Sequence, residues 1–140
     1  MNNMVFNDLV IDRDQQEIID SVEIEFELNR LLTERRFRSS PQMAAFLRYI
    51  VDETLKGNAR RIKAYTVGVD ALGKPDTFDA QGDPSVRVLA SRVRKALTEM
   101  YAADSPARVR IEMVVGSYVP VFSINRIQEV RQASTAPGIE

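Results

Sequence analysis

The residues of this chain best placed to do chemistry lie in DPSVRVLASRVRKALTEMY, residues 83–101. At about 100° per residue, Val88, Ser91, Arg92, Lys95 and Thr98 share one face of a helix, with Arg87 and Arg94 on its flanks. Guanidinium and ammonium groups neutralise anionic oxygens, and an Arg fork also fits the edge of a guanine. Val88 and Ser91 are short enough for the backbone to come close to what the cations hold. The pattern suits a polyanion, and double-stranded DNA entered through its major groove is the fitting one. A solvated basic helix of an ordinary globular protein has the same composition.

Other chemistries are poorly supplied. The chain has no cysteine and no histidine. It therefore has no disulfide, no thiolate nucleophile and no zinc–sulfur site, and it lacks the commonest general base and metal ligand. Without His or Cys no ordinary nucleophile–base pair can be assembled, so an enzyme is not expected. The loop KPDTFDAQG and the residue beyond it hold Asp76, Asp79 and Asp83. Their spacing lacks the alternating ligands and closing Glu of a calcium loop, so neither metal nor cofactor is expected.

The basic face needs a helix with a well-defined start and a core beneath it. Asp83-Pro84 is a cap followed by the residue that fits the first helical position. Val86, Ala90, Val93, Leu97 and Tyr101 form the stripe that faces inward. Ser40-Pro41 repeats the cap and opens a helix with Met43, Phe46, Leu47, Ile50, Val51 and Leu55 on its apolar face, stopped by Gly57. Arg60, Arg61 and Lys63 follow as a basic cluster. A short helix over about 64–72 comes next, with Tyr65, Val69 and Leu72 inward and Gly73 ending it. Gly68 inside it implies close packing or fraying. Phe78 pins the polar loop to the core.

Beyond the basic helix, Val109, Ile111 and Met113 alternate with Arg108, Arg110 and Glu112, as in a half-buried strand. Gly116-Ser117 breaks it. Tyr118, Val119, Val121 and Phe122 return as a second strand, which Pro120 confines to an edge. Upstream, Val22, Ile24, Phe26 and Leu28 alternate with Glu23, Glu25 and Glu27 as a strand would. Ile24, Leu28, Leu31 and Leu32 form a helical stripe, and the helix, over 21–36, is the preferred reading. It leaves Val22 and Phe26 off the stripe, either packed on the N-terminal arm or forming a dimer contact.

The expected division is an acidic arm over 1–20, holding at most one short strand, a domain over 21–122, and a disordered tail over 123–140. Net charge is −1, but residues 1–30 balance at −6 and residues 31–115 at +5. An acidic arm thus masks a basic body. No apolar run approaches the ~18 residues of a membrane span, and no signal segment opens the chain. A cytoplasmic protein with no membrane partner is expected.

The order helix, helix, helix, hairpin is that of a winged helix. PSVRVLASRVRKAL resembles the recognition helix of OmpR-type response-regulator DNA-binding domains, with Arg92-Val93-Arg94-Lys95 and Leu97 matching its basic run. VRIEMVVGSYVPVF resembles that family's wing. FRSSPQMAAFLRYIVDETLKG and KAYTVGVDALGKPDTFDAQGDPSVRV look like a bacterial winged-helix module that also occurs N-terminal to cyclase or repeat domains in longer regulators. The resemblance spans roughly residues 28–122. It departs at Leu89, where that family often has a polar residue, and at Val114-Val115, where it commonly has an Arg. The family's four-stranded N-terminal sheet is not evident, and the acidic arm stands in its place.

The resemblance implies DNA contacts at Arg87, Ser91, Arg92 and Lys95 and around Val115, Gly116 and Ser117. The exposed face adds Val88, and the connecting cluster adds Arg60, Arg61 and Lys63. Arg94, nearer the buried flank, is expected to pair with an acid of the body. The leading expectation is a winged helix-turn-helix, mainly α with a small β-hairpin and an added N-terminal helix, acting as a DNA-binding transcriptional regulator. One module buries only ~600–1,000 Å² of protein surface on DNA, so a homodimer on two half-sites is expected, joined through Val22 and Phe26. The alternative is a winged-helix interaction module that binds another regulator or RNA polymerase and does not bind DNA.

Overall fold

A computed structural model describes residues 5, 6, 8–14, 17–102, 105 and 107–125. It is mainly helical with two small antiparallel sheets. Strands β1 (Val5–Phe6), β2 (Leu9–Ile11) and β3 (Ile18–Asp20) precede helix α1 (Ser21–Thr33), the short α2 (Arg35–Arg38) and α3 (Pro41–Leu55). A 3-10 turn over Ala59–Arg61 leads to α4 (Ala64–Thr66), which continues as a π-turn over Val67–Ala71. Helix α5 (Ser85–Ala102) and the hairpin β4 (Val109–Met113) and β5 (Pro120–Ile124) complete the fold.

The cap signals act where the sequence places them. Ser40 Oγ accepts the Met43 N–H at 3.3 Å with Pro41 in the first turn of α3. Gly57 ends that helix at φ +84°, a conformation that L side chains avoid. At the start of α5, Asp83 Oδ1 accepts the Ser85 N–H at 2.9 Å. The apolar stripes then meet in one core: Phe46, Leu47, Ile50, Val93 and Leu97 are all buried. Helix α3 packs on α5, while α1 and α5 both pack on β4.

The first twenty residues differ from the expected arm. β1, β2 and β3 form a three-stranded sheet with Val10 opposite Ile19 and Ile11 opposite Ile18. Val10 and Ile19 point into the core, and Leu9 and Ile18 point outward. The strands are so short that their alternation is lost among neighbouring acids. The residues that follow β2 cover the free edge of β5: Phe122 O accepts the Arg13 N–H at 2.8 Å, and Asp12 Oδ1 accepts the Ile124 N–H at 3.2 Å. Every residue of β5 is consequently buried, and Pro120 sits at its first position, paired with Met113.

Two further boundaries move, and the surroundings of Val22 and Phe26 are decided. Glu34 is extended at ψ 148°, so the helix expected over 21–36 stops at Thr33 and resumes as the single turn α2. Val22 and Phe26 do not pack on the N-terminal strands; they are 66% and 75% exposed. Residues 123–125, expected in the tail, are buried, and Asn125 Nδ2 donates to Ala107 O at 2.8 Å. The remainder of that tail, 126–140, lies outside the described residues, as do positions 1–4 of the arm.

Gly68 lies in the π-turn, against the Phe78 ring. A Cβ there would lie 2.5 Å from Phe78 Cε2. Phe78 packs against the core and holds the loop before α5, with Lys74 Nζ 5.6 Å from its ring centroid. Of the two readings of Gly68, close packing is the one the structure adopts.

Candidate nucleic-acid interface

The N-terminal half of α5 is set by its cap. The bond from Ser85 holds the Asp83 carboxyl below the usual carboxylate range, with Lys74 and Arg87 adding smaller contributions. Asp79 Oδ1 accepts the Gln81 N–H at 3.2 Å, so two of the three loop acids act as turn caps. Arg87 Nη1 donates to Ala80 O at 3.2 Å, which fixes the first cation of the helix against the preceding loop.

The inward stripe of α5 is as expected, with Leu89 and Ala96 also buried. The outward face is shallowly concave. Pro84, Arg87, Val88, Ser91, Arg92 and Lys95 line one depression. Arg87, Ala90, Arg94, Gly116, Ser117 and Tyr118 line a second. Arg87 belongs to both, so the helix face runs continuously into the turn between β4 and β5.

That turn is built to stand still at its base. Gly116 takes φ +89°. The Ser117 N–H bonds to Val114 O at 3.3 Å, and Ser117 Oγ accepts the Val119 N–H at 3.1 Å. Tyr118 packs edge-on to Phe46 of α3, with ring centroids 6.3 Å apart at 83°. Val115, at the tip, is 86% exposed and lines neither depression.

Among the described residues, no acidic residue lines either depression. Elsewhere Arg30 is bound by Glu27, Arg36 by Glu99, Arg108 by Glu23 and Glu17, and Arg13 and Arg110 by Glu112. Among the described residues, none of Arg87, Arg92, Arg94 or Lys95 makes an ion pair. Arg94 thereby departs from expectation. It is half-buried beside the Gly116–Tyr118 turn, and its Nε is enclosed without a hydrogen-bond partner. Its place in the groove was readable from sequence only as seven positions after Arg87, two helical turns along the same side.

Arg60, Arg61 and Lys63 are exposed in the connection that follows α3. The turn at 59–61 packs against α3, and these three residues line neither depression on α5. Thr66 Oγ accepts the Lys63 N–H at 2.9 Å and donates to Arg61 O, which fixes this cluster at the entrance to α4. The structure therefore gathers Arg87, Val88, Ser91, Arg92 and Lys95 with Gly116 and Ser117, and adds Arg94 and Tyr118.

A second polar constellation escaped the sequence reading. Glu27 is 3% exposed on α1. It takes Arg30 Nε at 2.7 Å and Arg30 Nη2 at 2.9 Å, and it accepts the Tyr101 hydroxyl from α5. The Tyr101 oxygen in turn accepts the Ile111 N–H of β4 at 3.1 Å, and Arg110 lies over the Tyr101 ring at 5.0 Å. These groups fix the C-terminal end of α5, far along the helix from its basic depression.

Among the described residues, no helix is long and apolar enough to cross a membrane. Compared with family models, with curated proteins and with solved structures, the chain finds no match in any of the three.

Proposed function

We propose that α5 is a DNA-recognition helix and that α3, the α4 turn, α5 and the β4–β5 hairpin act together as a winged helix-turn-helix of a transcriptional regulator. One observation carries the reading. Among the described residues, four cations with no carboxylate partner, Arg87, Arg92, Arg94 and Lys95, line one connected surface, and no acid lines it with them. A connected cationic surface that no acid lines is prepared for external anions. Ser91, Gly116 and Ser117 keep the surface low, so phosphate oxygens can approach the backbone. In this reading Arg92 and Lys95 meet the groove, and Arg87 and Arg94 hold a phosphate between the helix and the turn. Arg60, Arg61 and Lys63 make separate backbone contacts.

A binding titration of the full chain with random-sequence duplex at two salt concentrations tests this. Binding should weaken steeply with salt, and R92A and K95A should each reduce the slope by about 1. Wild-type affinity weaker than ~10⁻⁴ M at low salt lies below the usual non-specific range and removes the reading.

A specific feature favours a second reading, the protein-interaction module. Val88 is 55% exposed in the middle of the candidate face, and Val115 is more exposed still at the turn. Such side chains fit a thymine methyl, and they fit an apolar partner surface equally well. The salt titration separates the two, because apolar docking is nearly salt-independent.

A further inference from the structure

The outer face of α1 is the largest feature the DNA reading leaves unused. Val22 and Phe26 stand out from it, one helical turn apart, with Arg30 one turn further along the same line. Beside them lies a hollow lined by Val22, Phe26, Ala107 and Val109 and by two charge pairs, Glu23–Arg108 and Glu27–Arg30, and its lining is mostly apolar. A protruding aromatic thus sits next to a recess on one surface.

We infer that the occupant of this face is a second copy of the same chain, with the two α1 helices packed antiparallel and Phe26 at the two-fold axis. The inference is independent of the DNA reading, since it uses a different helix and different chemistry. Three observations choose the occupant. A two-fold interface requires a patch that complements itself, and a knob beside a recess does so, because each Phe26 can enter the other copy's hollow.

The charges permit a second copy, and the helix dipoles choose the direction. Across this face Arg108 binds Glu23 and Arg30 binds Glu27, so two copies meet without net repulsion. Antiparallel packing centred on Phe26 sets Val22 of each copy against Arg30 of the other. Antiparallel helix dipoles attract, and parallel ones repel.

The third observation is what the face keeps paired or leaves bare. Arg30 and Arg108, the cations that line the hollow, are held by Glu27, Glu23 and Glu17 and do not stand open to a phosphate. A small apolar molecule in the hollow would leave most of Phe26 in water, with roughly 110–190 Å² of ring surface still exposed. A second α1 covers both the ring and the hollow. The contact is a single short helix pair, well below the ~800 Å² per partner of a standard interface, so the dimer is weak, with Kd of about 10⁻⁶ to 10⁻⁴ M.

Sedimentation equilibrium of the full chain, from low micromolar to a few hundred micromolar, tests the proposal. The wild type should pass from monomer to dimer across that range. F26S should weaken association at least tenfold, and V22S by a smaller factor, with the thermal midpoint of dilute protein unchanged because both side chains are exposed in the monomer. S91K, on the other surface, should dimerise like wild type. Cysteine-free as it is, the chain also permits a direct check: F26C should form an intermolecular disulfide under mild oxidation, and S91C should not. A wild type that is monomeric at a few hundred micromolar overturns the proposal and leaves the face to another protein or a small apolar ligand. A dimer equally strong in F26S overturns it in favour of a different interface.

Discussion

The Tyr101 hydroxyl of α5 donates to the carboxylate of Glu27 on α1 and accepts the Ile111 N–H of β4 at 3.1 Å. One phenol oxygen thus ties three elements together in the interior. Removing it strands a buried N–H and takes one bond from a buried carboxylate that Arg30 still holds. Y101F should therefore cost ~1–3 kcal/mol, the penalty for an unsatisfied buried polar group. Urea denaturation measures it. A double-mutant cycle with E27Q should show a coupling of about 0.5–3 kcal/mol, as expected for contacting groups.

The same phenol makes stability depend on alkaline pH. Burial first, then the Glu27 charge and the bond to it, push the Tyr101 pKa upward, well above an ordinary phenol. Below pH ~10 both folded and unfolded phenols are protonated, and the contribution is constant. Above it the unfolded state releases its proton and the native state does not, so stability falls by up to about 1.4 kcal/mol per pH unit. Denaturation at pH values on either side of this threshold should show the fall in wild type and a smaller one in Y101F. The remainder comes from Tyr49, which burial also raises.

Gly68 offers a test of packing against propensity. Alanine is the better helix former by about 1 kcal/mol. At this site its methyl would meet the Phe78 ring at 2.5 and 2.7 Å. G68A should therefore destabilise by ~1–3 kcal/mol, the usual cost of overpacking. Trimming the ring in G68A/F78L should recover part of the loss. A stabilised G68A would mean that the loop before α5 is not held by Phe78.

Leu97 and Arg94 occupy opposite sides of the energetics of α5. Leu97 is buried, and L97A should cost ~2–5 kcal/mol. Arg94 has no acid partner among the described residues and an enclosed Nε without a bond. R94A should leave stability within about 0.5 kcal/mol while weakening DNA binding in the proposed reading. Thermal unfolding and the salt titration read the two effects separately.

Features decided by near neighbours were legible in the sequence. A Ser or Asp before Pro opens a helix, and a Gly at positive φ closes one, because the partners lie within a turn or two. The stripes of α3 and α5, the half-buried alternation of β4 and the outward face of α5 follow from period alone. What depends on distant partners was not legible. Glu27 reads as a solvent-facing acid until Tyr101, 74 positions away, and Arg30 enclose it. The strands β1–β3 are too short to declare themselves and exist by pairing with each other, and the residues that follow β2 close the edge of β5. Arg94 reads as a cation near the buried flank that pairs with an acid of the body, and only the placement of the Gly116–Tyr118 turn puts it in a groove without one. Local pattern assigns a residue to a face; which groups stand opposite that face is a property of the assembled chain.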